Sequence, residues 1–66
     1  MDTVYGCDRS DVTHQFSITL VHGDDKRSVD LFLNSGNFAA MVKAIREVYP
    51  PWWTIDKFLL TWEDSI

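Results

Sequence analysis

Three things are scarce in this 66-residue chain: cysteine, positive charge and long apolar runs. Cys7 is the single cysteine, so no disulfide can form within the chain, and a lone thiol is typical of a reducing compartment. Six basic against ten acidic side chains give a net charge of −4, whereas a nucleic-acid-binding protein needs a basic patch. No apolar run reaches the roughly 18 residues of a membrane span, and the N-terminal residues lack the pattern of a signal peptide. We therefore expect a cytoplasmic protein that neither binds nucleic acid directly nor enters a membrane.

Signatures of catalysis and of metal binding are also missing. His14 and His22 are separated by eight positions of one predicted strand, roughly 27 Å, which is too far for joint ligation of a metal ion. Cys7 has no partner at zinc spacing, and its neighbours do not suggest an oxyanion site. The sequence predicts a protein that is not an enzyme and carries no cofactor and no metal.

Aromatic side chains are plentiful instead, at 14% of the residues, and they allow a small chain to bury a core. Alternating apolar residues over 13–22 and 27–34, joined by the polar turn that contains Asp24 and Asp25, predict a β-hairpin. A third strand is predicted over 55–62. Residues 1–12 are predicted to be an irregular acidic arm with a short extended piece at Val4 and Tyr5, residues 13–62 the folded core, and residues 63–66 an acidic tail.

A helix is predicted between the second and third strands. Asn37 or Ser35 is suited to cap its first turn, and Pro50 and Pro51 end it because proline lacks a backbone donor. Its apolar stripe is predicted to contain Phe38, Met41, Val42, Ile45, Val48 and Tyr49.

The predicted fold is therefore one α+β domain with element order β-β-α-β, in which one helix packs on one face of a three-stranded, mostly antiparallel sheet. The third strand can pair with the first or with the second strand, and the first is favoured because antiparallel pairing is commoner. The predicted core consists of Phe16, Ile18, Leu20, Val29, Leu31, Leu33, Phe58, Leu60 and Trp62 on the sheet and Phe38, Val42, Ile45 and Tyr49 on the helix.

One helix cannot cover both faces of a sheet, so the other face is predicted to be open to solvent. Phe32 and Leu59 are the large apolar residues predicted on it. They either form an interface or lie under the N-terminal arm, through Val4 or Tyr5.

The segment YPPWWTID, residues 49–56, contains Tyr49, Trp52 and Trp53. Adjacent side chains of an extended segment point in opposite directions, so one tryptophan is expected to close the end of the core and the other to be partly exposed. An exposed tryptophan on a rigid turn suits a protein-binding hot spot, whereas two packed rings would only complete the core.

Acidic residues at the hairpin turn and at the C-terminus, Asp24, Asp25, Glu63 and Asp64, are expected to form patches that suit a basic partner surface. In its size, acidity and lone cysteine the chain resembles the small inhibitors of phages and mobile elements, such as anti-CRISPR, anti-restriction and polymerase-blocking proteins. The resemblance implies a protein-binding inhibitor or regulator of a larger complex that handles nucleic acid. The alternative is a structural homodimer or small subunit, assembled through the open sheet face or an edge strand.

Overall fold

In the computed structural model, which describes residues 1–64, four strands form one mixed sheet in the order β1-β3-β2-β4. The elements along the chain are β1 (Asp2–Tyr5), a 3-10 helix (Arg9–Asp11), β2 (His14–His22), β3 (Asp25–Leu33), α1 (Phe38–Val48) and β4 (Thr54–Glu63). The predicted α+β class with one helix is confirmed. The prediction of three mostly antiparallel strands is wrong in its details, because β1 adds a fourth strand and a parallel pairing.

The hairpin of β2 and β3 follows from the alternation of apolar and polar residues in both strands. The two strands pair over their whole length, from His14 opposite Leu33 to His22 opposite Asp25. Their loop consists of Gly23 and Asp24, and Gly23 has a φ of 61°, a conformation that glycine adopts without steric cost.

The N-terminal arm, predicted to be irregular apart from a short extended piece at Val4 and Tyr5, contains β1, which includes these two residues and begins at Asp2. This strand runs parallel to β3, with Asp2 opposite Val29 and Tyr5 opposite Phe32. The amide of Gly6 extends the pairing by donating to the carbonyl of Phe32 at 2.9 Å. Four residues are too few for an alternating pattern to stand out in a sequence, and only the partner strand β3 makes the pairing visible.

Helix α1 begins where the sequence predicts. The side chain of Asn37 accepts a hydrogen bond from the amide of Ala39 at 2.7 Å, and Ser35 Oγ accepts one from the amide of Asn37. The helix ends at Val48, and the amide of Tyr49 still donates to the carbonyl of Ile45 before Pro50 interrupts the pattern. No helix within residues 1–64 is long and apolar enough to cross a membrane.

The core lies between α1 and the three strands β1, β3 and β2. On the helix it corrects the predicted core in two respects: Met41 and Ala44 belong to it, whereas Phe38, in the first turn of α1, is half exposed. Val48, predicted in the apolar stripe of the helix, is also half exposed. The buried residues are Phe16, Ile18, Leu20, Val29, Leu31, Leu33, Met41, Ala44, Ile45 and Tyr49. Val42 and Val4 are partly buried against them.

Strand β4 pairs with β2 in antiparallel orientation, which confirms the favoured alternative. It lies at the edge of the sheet, where α1 covers it only in part, and the prediction that Phe58, Leu60 and Trp62 are core residues is wrong: they are 50%, 40% and 46% exposed. Glu63 is the last residue of β4 rather than part of a tail, and residues 65 and 66 of the predicted tail lie outside the described residues.

Candidate protein-binding surface

The two adjacent tryptophans have different environments, although they lie in a turn, closed by the hydrogen bond from the amide of Trp53 to the carbonyl of Pro50 at 3.1 Å, and not in the extended segment that the prediction assumed. Trp53 packs against the core, with its ring 5.8 Å from that of His22 and 5.0 Å from the guanidinium of Arg27. Its carbonyl also accepts a hydrogen bond from Arg46 at 2.7 Å. Trp52, in the turn, is 59% exposed. Of the two, only Trp52 offers most of its ring to a partner.

Tyr49 closes the core beside the N-terminus and is buried. Its hydroxyl donates a hydrogen bond to Asp2 Oδ2 at 2.7 Å, and Arg27 donates to the same carboxylate oxygen at 3.3 Å. Burial raises the pKa of Tyr49 to about 12, and the hydrogen bond to the carboxylate of Asp2 contributes in the same direction. A partner therefore has little access to Tyr49, whose role here is to join α1 to β1.

A pH titration of tyrosine absorbance tests this arrangement. The folded-state pKa of about 12 lies above the usual value, so the phenol's stabilising contribution is complete below about pH 10 and is lost as the pH rises through 12. We expect a titration step near pH 12 that is absent in Tyr49→Phe and moves to lower pH in Asp2→Asn. An unchanged midpoint in Asp2→Asn would contradict the contribution of this carboxylate.

On the open face of the sheet, the N-terminal strand covers one of the two predicted apolar residues. The rings of Tyr5 and Phe32 stack with their centroids 4.9 Å apart, and the guanidinium of Arg9 lies 5.0 Å from the centroid of Tyr5. Leu59 stays uncovered, with 65% of its surface exposed. The open face therefore keeps one of its two predicted apolar residues exposed, Leu59 on the β4 side. On the β1 side, Tyr5 lies over Phe32 and is the outermost ring.

A bulge in β4 adds Trp62 to the open face. Phe16 lies opposite Leu60, but the next residue of β2, Gln15, lies opposite Trp62, so β4 has one extra residue at this point. The extra residue reverses the alternation of side chains and places Trp62 on the same face as Gln15 and Phe32. This is the physical reason why Trp62 does not enter the core.

These side chains surround a shallow open depression of about 550 Å³ at one end of the sheet. It is lined by Tyr5, Arg9, Val12, Gln15, Phe32 and Trp62. Trp62 is 46% exposed and Tyr5 41%, so two large rings are available to a bound segment. We call this site the aromatic depression.

Acidic side chains adjoin the aromatic depression. Asp8 and Asp11 are exposed and immediately precede Arg9 and Val12 of its lining, whereas Glu63 lies on the other face of β4, where its carboxylate is 3.1 Å from His14. Asp64 is exposed at the same end, where its amide donates to the carbonyl of Thr13 at 2.7 Å. Asp24 and Asp25 lie at the other end of β2, in a molecule 40 Å long, so the predicted acidic groups form two separate patches.

Sequence patterns could not have revealed the aromatic depression as a unit. Tyr5 and Arg9 lie in the arm that lacked a clear pattern, and Trp62 follows the alternation of the core until the bulge reverses it. The sequence offers only an indirect signal: Phe32 on the open face needs a cover, and Val4 and Tyr5 of the N-terminal arm are the two residues that can provide it.

Cys7 and His14, the side chains with chemistry suited to catalysis, do not line the aromatic depression. Burial and the nearby carboxylates of Asp11 and Asp8 raise the pKa of the Cys7 thiol, which disfavours the thiolate. His14 hydrogen-bonds to Glu63 at 3.1 Å and to Thr13 at 2.7 Å. Within residues 1–64, no group of three His, Cys, Asp or Glu side chains is placed to hold a metal ion.

Comparisons of the chain with models of known protein families, with curated protein sequences and with solved structures found no match.

Proposed function

We propose that this protein is a non-enzymatic protein-binding module that inhibits or regulates a larger protein. The observation that carries the proposal is the aromatic depression with its acidic surroundings. Exposed tryptophan and tyrosine rings bury a large area at a small cost in conformational entropy, which is why they are frequent in binding hot spots.

The charge pattern favours a partner with a basic surface, such as one that binds nucleic acid. The chain carries a net charge of −4, and the exposed residues Asp8, Asp11 and Asp64 lie at the same end of the molecule as the aromatic depression. A segment that contains lysine or arginine would meet the rings of Tyr5 and Trp62 in the depression, which Arg9 also lines, and a surplus of opposite charge from the carboxylates around it, which favours fast association. Occupying such a surface would exclude the nucleic acid and so inhibit the partner.

The test begins with capture of partners by the immobilised protein from a lysate of its native host, followed by mass spectrometry. A captured protein is then purified, and its binding to parent and variants is measured kinetically at low and high salt. Trp62→Ala is expected to weaken binding by about 2 kcal/mol or more, mainly through faster dissociation. Trp52→Ala, which removes a ring of similar exposure from the turn, is the matched control and should bind like the parent.

Charge reversals separate the two acidic patches. Asp11→Lys and Asp64→Lys should slow association, and the defect should fade as salt is added, because exposed charges are screened. Asp24→Lys should have no effect on this measurement. The reverse result, a salt-dependent defect in Asp24→Lys beside normal binding of Trp62→Ala, would place the contact at the hairpin turn and overturn the proposed site. A captured protein whose nucleic-acid binding is unaffected by this chain would overturn inhibition.

A further inference from the structure

The outer edge of β4 is the most exposed feature of the sheet. The two edge strands of the sheet differ in length, because β1 has four residues and β4 has ten. Nothing within residues 1–64 pairs with the outer edge of β4, so its backbone donors and acceptors face solvent. Natural sheets usually shorten or charge such edges, because an exposed edge is a template for another strand.

In its middle, strand β4 exposes apolar side chains on both faces, which is unusual for an edge. Phe58 and Leu60 are exposed on the side of α1, and Leu59 is exposed on the open face. Phe38, at the start of α1, extends the first group, with its ring centroid 5.0 Å from that of Phe58. An isolated monomer gains nothing from exposing these side chains on a strand whose edge is also unpaired.

We propose that β4 pairs with β4 of a second copy of this chain, in antiparallel orientation, to form a continuous eight-stranded sheet. The argument for a second copy is that the strand is complementary to itself. A two-fold axis perpendicular to the sheet keeps each side chain on its own face, so only residues of the same face can lie opposite each other.

Three registers satisfy this condition near the middle of the strand, and they differ in which side chains lie opposite each other. With the axis at Phe58, Lys57 would lie opposite the apolar Leu59. With the axis at Leu60, Phe58 would lie opposite Trp62, which the bulge has turned to the other face. With the axis at Leu59, the two copies of Leu59 face each other, and Phe58 lies opposite Leu60 of the second copy on the side of α1. Lys57 then faces Thr61, and no like charges are opposed.

The expected dimer is weak. Irregularities in the pairing with β2 limit the regular part of β4 to the stretch from Lys57 to Leu60. The exposed parts of Phe38, Phe58, Leu59 and Leu60 amount to roughly 400 Å² in each copy, given that a whole aromatic side chain offers about 150–250 Å². Two such surfaces lie at the low end for specific interfaces, so we expect a dissociation constant of about 10–100 µM. The aromatic depression lies beyond this stretch and stays available.

Sedimentation equilibrium over a concentration range of about 5 µM to 1 mM tests the dimer. The parent should change from 7.7 kDa to twice that mass as concentration rises. Leu59→Lys places two like charges on the axis and should weaken the dimer at least about tenfold. Val48→Lys makes the same change at a half-exposed apolar position of α1 away from β4 and should dimerise like the parent. A parent that stays monomeric at 1 mM, or equal loss in both variants, overturns the proposal.

Cross-linking tests the register in a Cys7→Ser background, with oxidised glutathione as the oxidant. Leu59→Cys should form a covalent dimer, because directly opposite residues have Cβ atoms about 4.5–5.5 Å apart, close to disulfide geometry. In Lys57→Cys the two thiols would be four residues apart along the strands, roughly 13 Å, and should cross-link at least about tenfold more slowly. Equal rates in the two variants would overturn pairing about Leu59.

Discussion

Replacement of Leu31 or Ile45 by alanine is expected to lower the free energy of unfolding by about 2–5 kcal/mol. Both side chains are fully buried, Leu31 on the core face of β3 and Ile45 on the inner side of α1. Removing either one loses apolar burial and leaves a cavity that the closely packed neighbours cannot fill. Since a domain of this length has a total stability of roughly 3–10 kcal/mol, either change consumes much of it.

Denaturant unfolding followed by circular dichroism measures the effect. Val48→Ala is the matched control on the same helix, because Val48 is 53% exposed, and its change should stay within about 0.5 kcal/mol. Should Ile45→Ala fail to fold, Ile45→Val, with an expected loss of about 0.5–1.5 kcal/mol, gives the same information. An unchanged midpoint for Ile45→Val together with a large loss for Val48→Ala would show that α1 packs through a different side.

These residues lie where simple periodicity predicts them, and the reason is physical. The central strands β2 and β3 are regular over nine residues each, and their side chains alternate between the two faces of the sheet. The apolar residues at alternate positions therefore all point into the core. The stripe of α1 is likewise long enough to define a buried side through Met41 and Ile45. In these elements, the periodicity of apolar residues in the sequence therefore predicts correctly which side chains are buried.

The edges of the sheet follow different rules. Phe58 and Leu60 alternate as core residues do and lie on the core face, yet α1 is too narrow to cover β4 as well as three other strands. The burial of a residue on this strand depends on where the helix lies over the sheet, and no local pattern encodes that position. The same holds for Trp62, whose face depends on a single extra residue in the pairing with β2.

The candidate binding surface is built from these edge effects, which is why the sequence predicted Phe32 on the open face but wrongly assigned Trp62 to the core. Phe32 and Leu59 were identified as open-face residues from the alternation of their strands. The stacking of Tyr5 on Phe32 required a parallel strand whose four residues carry no recognisable pattern. Interfaces in small domains tend to use such uncovered edges, because the core takes the regular positions.

Gly6→Ala is expected to destabilise the domain by about 1–2 kcal/mol, although Gly6 is exposed. A Cβ atom at this position would overlap Leu33 Cδ2 and lie 3.2 Å from Ala44 Cβ. The chain approaches both β3 and α1 at this point, immediately after β1. Gly6 has no positive φ, so alanine would otherwise stabilise the protein by about 0.4–1 kcal/mol through the unfolded state. The packing conflict costs about 1–3 kcal/mol, which is more than this stabilisation, so the net effect of Gly6→Ala is expected to be destabilising.

A double-mutant cycle with Leu33→Val isolates this conflict. Valine lacks the Cδ2 atom that the new methyl group would meet, so Gly6→Ala should cost less in the Leu33→Val background than in the parent. We expect a coupling energy of at least about 0.5 kcal/mol, measured by denaturant unfolding of the four proteins. Loss of β1 from the sheet would also expose Phe32 and disrupt the aromatic depression. The same variants therefore test whether partner binding depends on the pairing of β1. Strictly additive effects would mean that the chain at Gly6 does not pack between β3 and α1, and that Tyr5 is not held on Phe32 by this approach.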